Sequence, residues 1–196
     1  MKKIAFLLIL FAASLASPLA AAAQVRDYLT ADEIELVRDR QEVDDRIEVL
    51  IGAVDRRFAA LKIDATPDRS KKRVAADEEW GKAPGGTRIE LLNDIRLILQ
   101  KAIDDLDSLA ARPESAILPH PDDKRKKPKT TDELFRIAVM SLASASERFK
   151  TVLEKEYEKP AERAEKAVIA TSIDSCTQII EASKRRPVLP TKYKTK

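Results

Sequence analysis

The chain has 196 residues, with 36 Lys and Arg against 33 Asp and Glu, for a formal net charge of +3. A hydrophobic fraction of 44%, four glycines and one cysteine exclude a charged disordered tail protein, a collagen-like chain and a disulfide scaffold. They leave room for one domain with its own core and define no activity.

Residues 1–23 read as a secretory signal. Lys2 and Lys3 form the basic start, Ile4 to Ala16 the apolar stretch, and Ala21-Ala22-Ala23 a small-residue cleavage site. An apolar run of about 13 residues is too short to cross a hydrocarbon layer of about 30 Å as a helix. Removing this leader, with its two lysines, leaves 173 residues from Gln24 and a net charge of +1. No cysteine follows the cleavage site to carry a lipid, and charges interrupt every later apolar window. The expectation is a periplasmic or secreted bacterial protein, with a leader over 1–23, a helical domain over 24–186 and a basic, mobile tail over 187–196. Cys176 is the only cysteine, so an internal disulfide is impossible. It is expected as a small buried residue on a helix rather than an intermolecular bridge.

Helical periodicity dominates the rest. Thr30-Ala31-Asp32-Glu33 is a capping-box pattern, with Leu29 and Ile34 placed as a hydrophobic staple, and predicts a short helix from Ala31 to Arg40. Val43, Ile47, Leu50, Ile51, Val54, Phe58 and Leu61 form one stripe out of phase with Ile34 and Val37. A break is therefore expected near Gln41-Glu42. Gly52, inside this second helix, weakens it by about 1 kcal/mol relative to Ala, and its expected use is close packing.

Ala65-Thr66-Pro67 suggests a stop, with another helical stretch from Asp68 to Trp80. Pro84-Gly85-Gly86 is a breaker, and Thr87 with Glu90 repeats the capping box. From Arg88 to Ala111 a broad apolar face runs from Leu91 to Leu109. Asn93, Asp94, Arg96 and Asp104 fall opposite, and Leu97 is an apolar exception on that polar side. So wide a face predicts two helical neighbours.

Residues 113–129 hold four prolines and a basic run, and read as an exposed linker. Thr130 and Glu133 open a helix with a heptad-like seam of Phe135, Ala138, Leu142, Ala145, Phe149 and Val152. Pro160 fits the first turn of a last helix, Ala161 to Lys184, with Ile169, Ile173, Cys176 and Ile180 on one side. Strand patterns are nearly absent. The predicted fold is all-α: an up-and-down bundle of four long helices with a short N-terminal helix.

The residue types of catalysis are sparse. His120 is the only histidine and lies among prolines. One histidine and one cysteine are poor material for a zinc site. The Glu-x-x-His pattern of di-iron bundles is missing, as are phosphate-binding loops. Asp77-Glu78-Glu79, Asp104-Asp105 with Asp107, and Asp122-Asp123 read mostly as solvated helix faces. Ser141, Ser144 and Ser146 share a helix with no histidine to activate them. The expectation is a non-enzymatic protein with no cofactor and no metal.

Basic clusters are the one pronounced feature. Arg69, Lys71, Lys72 and Arg73 form one; Lys124, Arg125, Lys126, Lys127 and Lys129 a second; the chain from Lys184 onward holds six basic residues and no acidic one. Either they solvate connections or they attract an anionic surface such as phospholipid, lipopolysaccharide or a wall polymer. Nucleic acid is not expected, because the mature charge is near neutral and aromatics do not interleave with the basic runs.

Three readings follow. The first is a binding or structural module of the bacterial envelope, whose partner is another envelope protein or an anionic envelope polymer met by Lys124 to Lys129. The second rests on Leu29-Thr30 ahead of a charged helix, which resembles the Leu-Thr motif of the small helical Spy/CpxP-type proteins over a few residues, with Glu33 at that motif's glutamine position. The resemblance implies a periplasmic chaperone or stress sensor. The third is a pocket for a lipid or other apolar ligand between helices.

Overall fold

A computed structural model describes residues 26–65, 78–116 and 130–185. Five α-helices account for most of them: α1 (Ala31–Asp39), α2 (Val43–Ala60), α3 (Arg88–Ala111), α4 (Thr131–Tyr157) and α5 (Arg163–Lys184). Two short 3-10 turns, Glu78–Trp80 and Pro113–Ser115, complete them, and no strand occurs among the described residues. The fold is all-α. No described helix is long and apolar enough to cross a membrane.

Three helices start on the capping boxes read from sequence. Thr30, Thr87 and Thr130 each accept from the backbone N–H three residues on, and Glu33, Glu90 and Glu133 each accept from the cap residue's own N–H. Each box satisfies two backbone donors that the first turn leaves without partners. Of the two staple residues, Leu29 is buried and Ile34 is partly buried against the core. α1 stops at Asp39 and α2 starts at Val43, so the phase change marks a true break. The last helix begins at Arg163, not Ala161, with Glu162 as its cap. Pro160 therefore precedes the helix instead of sitting in its first turn.

α2 ends in a Schellman motif. The Ile63 N–H donates to Phe58 O at 2.9 Å and the Lys62 N–H to Ala59 O at 3.0 Å. Lys62 takes the left-handed conformation, with φ of 58°, where glycine is the usual occupant.

α2 packs against α3 and α4; α5 packs against α4, most extensively, and against α3. α3 and α4 meet only slightly, and α1 rests on α2 and on the Glu78–Trp80 turn. The predicted seams supply the core: Ile47, Phe58, Ile95, Ile98, Phe149 and Ile169 have no exposed surface. Phe58 and Phe149 meet at a ring separation of 5.5 Å.

One sequence expectation needs correction. α2 is buried beyond its predicted stripe: every residue from Val49 to Phe58 is enclosed, with α1, the Trp80 ring, the Lys82 carbonyl and Arg148 of α4 among its cover. Asp94 is likewise buried within the face of α3 read as polar. Leu97, the apolar exception on that face, is half-buried. Gly52 has the use expected: a Cβ there would lie 2.5 Å from Cη2 of Trp80. The proposed leader, most of the stretch from Asp68, the linker from residue 117 and the tail beyond Arg185 lie outside the described residues.

Candidate functional site

Two consecutive arginines of α2 organise the charged interior. Arg57 donates through Nη1 to Glu33 Oε1 at 2.5 Å and to Ala53 O at 3.2 Å, and through Nη2 to Tyr28 O at 2.6 Å. Its Nε lies 3.7 Å from Asp94 Oδ2. Arg56 donates to the same Glu33 oxygen at 2.6 Å and to Lys82 O at 2.6 Å. Its guanidinium lies 5.3 Å from the Trp80 ring centroid, a cation–π distance. Arg26 closes the cluster with two N–H groups on the two Asp94 oxygens, both at 2.8 Å, and a third contact to Gly85 O at 2.6 Å.

Three guanidiniums thus meet two carboxylates. The Glu33, Arg57 and Asp94 side chains are 0%, 1% and 3% exposed, so their attraction acts in a poorly screened interior. Burial pushes the Asp94 carboxyl above its ordinary pKa, against the opposing pull of Arg26 and then Arg57. Pairing with Asp94 in turn raises the pKa of Arg26. The cluster ties the N-terminal segment, α1, α2, α3 and the 81–85 loop to one point. Planar, multiply bonded arginines fix geometry well, so its chemistry is that of orientation, not of an exposed base or nucleophile.

Two further arginines tie helix to helix. Arg148 of α4 makes a two-pronged bond to Asp55 of α2, at 2.7 and 2.9 Å, and donates to Ala65 O at 2.6 Å. Arg88 at the start of α3 reaches Glu156 of α4 at 2.8 Å and Glu165 of α5 at 2.6 Å.

The described surface offers two concavities of interest. One, of about 290 Å³, is lined by Leu36, Val49 and Trp80 together with Arg40, Glu48 and Glu79. Arg40 and Glu79 pair across it at 3.1 Å. The other, of about 120 Å³, lies between α3, α4 and α5, lined by Ile103, Leu106, Phe135, Val139 and Ile179 among others.

The residues singled out from sequence divide clearly. Lys124, Arg125, Lys126, Lys127 and Lys129 lie outside the described residues, as do Arg69 to Arg73 and His120. Cys176 is buried, and burial pushes its thiol up to about 12, with Ser146 and Lys150 pulling weakly the other way. Ser146 is buried and Ser144 exposed, so the three serines do not share one environment. Asp104 and Asp105 sit along α3, paired with Gln100 and Lys101 one turn earlier. No group of three or more potential metal ligands forms among the described residues. Leu29 and Thr30 serve the fold, one in the core and one as a helix cap.

Sequence reading missed the cluster around Arg57. From sequence Glu33 reads as a helix cap and as the counterpart of a motif glutamine, not as the buried partner of Arg56 and Arg57 that it also is. The available signal was the pair Arg56-Arg57 set directly between Val54 and Phe58 of the apolar stripe. No protein family, curated protein or solved structure matches the chain.

Proposed function

We propose that this is an exported, non-enzymatic helical protein of the bacterial envelope that binds an anionic envelope polymer through Lys124, Arg125, Lys126, Lys127 and Lys129. The observation that carries the reading is the leader pattern of residues 1–23 combined with that concentrated basic run. The arginines at the centre of the body, Arg56, Arg57 and Arg148, are turned inward onto carboxylates. The densest cationic stretch outside that interior is the run from Lys124 to Lys129, five basic residues in six. The domain spans residues 24–186, and residues 187–196 form a basic tail.

In this reading α2, α3, α4 and α5 make an up-and-down bundle. Its support is the pairing at both ends of α2 and α3, with Arg46 4.0 Å from Asp105 and Arg57 3.7 Å from Asp94. The slight contact of α3 with α4, which follow one another along the chain, speaks against neighbour-to-neighbour order at that one step.

Two measurements test the function. Fractionation of cells expressing a C-terminally tagged chain should recover it in the periplasm or medium, shortened at Ala23; full-length material in the cytosol would end the export reading. Binding to lipopolysaccharide or anionic vesicles should weaken with salt and with Lys124, Arg125, Lys126 and Lys127 changed to Gln. Binding indifferent to both would remove the basic run from the account.

A further inference from the structure

The concavity of about 290 Å³ is built by three separate parts of the chain. Leu36 comes from α1 and Arg40 from the residue that caps its end. Asp45, Glu48 and Val49 come from α2, and Glu79 and Trp80 from the 3-10 turn. Positions 45, 48 and 49 stand three and four apart, which puts two carboxylates and an apolar side chain on one side of the helix. Trp80 is well anchored: Gly52 leaves room for its ring, and the Arg56 guanidinium lies 5.3 Å from the ring centroid.

The lining thus joins an apolar and aromatic wall to three carboxylates and one guanidinium. That guanidinium is engaged, because Arg40 donates to Glu79 at 3.1 Å. The pair is 43% and 58% exposed, so Glu79 loses little by sharing its oxygens with another donor. Asp45 and Glu48 make contacts of their own within the protein. A carboxylate offers about four acceptor positions, however, and one donor does not fill them. An anionic guest would meet three like charges and one opposite charge. An uncharged apolar guest would strip water from charged groups and return no hydrogen bond. A guest with N–H donors, positive charge and an apolar stem matches both parts of the lining. The volume is at the small end of ligand pockets, about 300–1,000 Å³, and suits a small molecule better than a folded partner.

We propose that this concavity binds a small aliphatic diamine, its ammonium groups on the carboxylates of Asp45, Glu48 and Glu79 and its methylene stem against Leu36, Val49 and Trp80. The site is separate from the basic run and takes a ligand of the opposite charge. It depends neither on that run nor on export.

Trp80 is the only tryptophan in the chain, so tryptophan fluorescence reports on this site alone. The full chain is titrated with 1,5-diaminopentane, 1,5-pentanediol and pimelate, which share one methylene stem and differ in their end groups. The diamine should change Trp80 emission saturably, with half-saturation at about 1 mM or below, and added salt should weaken it. The diol and pimelate should have no such effect. Glu48→Gln and Glu79→Gln should each weaken diamine binding about tenfold, the loss of one charge-assisted hydrogen bond. Glu35→Gln, which touches only the exposed Arg38 pair on α1, should leave it unchanged. Circular dichroism verifies that each variant is folded. No saturable response to the diamine, or an equal response to the diol, would overturn the proposal on the wild-type chain, whatever the variants do. A response to pimelate in place of the diamine would assign the concavity to Arg40 and overturn it too. A response to a lysine-rich peptide but not to the diamine would put a peptide there instead and end the proposal.

Discussion

Arg57 and Glu33 meet at 2.5 Å with both side chains closed off from solvent. Their surroundings make the two ends of this pair unequal. Glu33 faces two arginines, so its removal leaves Arg56 and Arg57 buried side by side with no nearby carboxylate except Asp94, which Arg26 already holds. Removal of Arg57 instead leaves one arginine for each carboxylate, Arg56 with Glu33 and Arg26 with Asp94. Glu33→Gln should therefore cost about 3–5 kcal/mol, the usual result of stranding a buried charge. Arg57→Met should cost about 1–3 kcal/mol, chiefly from the Tyr28 carbonyl left without a donor. Urea unfolding of the mature chain measures both, and the reverse order would show that the charge balance has been misjudged.

Gly52 faces the indole of Trp80 at a distance no side chain can share. A Cβ would lie 2.5 Å from Cη2 and 2.7 Å from Cζ2. Alanine would gain about 1 kcal/mol of helix propensity. Displacing a buried ring that Arg56 also covers should cost about 1–3 kcal/mol, so Gly52→Ala is expected to destabilise on balance. In a Trp80→Ala background the obstacle is gone, and the same Gly52→Ala change should become neutral or stabilising. A double-mutant cycle reads the change of sign directly; additive effects would mean that the ring moves aside freely.

Local chemistry was the legible part of the sequence. Thr30, Thr87 and Thr130, each followed three residues later by Glu, specified helix starts without help from tertiary structure. The seams of α3 and α4 were legible for a similar reason, since a helix buries residues at a fixed period. Asp94 and the Arg56-Arg57 pair were not. A charged residue on a helix reads as a solvated face unless its partner is known, and here the partners come from positions 26 and 33, far along the chain. The enclosure of α2 was hidden likewise, because its cover comes from α1 and from the loop after Trp80.

Glu156 gives the fold a dependence on acid. Burial works to raise its pKa, but hydrogen bonds from Lys159 and Arg88 outweigh this and hold the carboxyl below its ordinary value of 4.5. A carboxyl with a lowered folded pKa contributes stability at pH above 4.5 and loses it as the pH falls through the folded value. Its partners are well exposed, at 40% for Arg88 and 60% for Lys159, so the contribution at neutral pH should be about 1 kcal/mol or less. Glu156→Gln should lower stability by that amount at pH 7 and by almost nothing near pH 3. Urea midpoints across this range would show it. A loss that persists undiminished at pH 3 would point to packing instead of charge.

Among the described residues, Lys62 adopts a backbone conformation that a residue with a Cβ does not favour. At φ 58° it occupies the position after the α2 cap, with both Schellman hydrogen bonds made around it. A left-handed backbone costs an L residue about 1–2 kcal/mol, a cost glycine escapes through lack of a Cβ. Glycine also loses more freedom on folding, which offsets part of the gain. The side chain of Lys62 is exposed, so little packing is at stake. Lys62→Gly should therefore stabilise the mature chain by about 0.5–1 kcal/mol, and Lys62→Val, with a branched Cβ in the same conformation, should destabilise it. Thermal unfolding of the two variants beside the parent supplies the comparison. A Lys62→Gly chain that melts below the parent would show that the residue after α2 does not hold the strained conformation in solution.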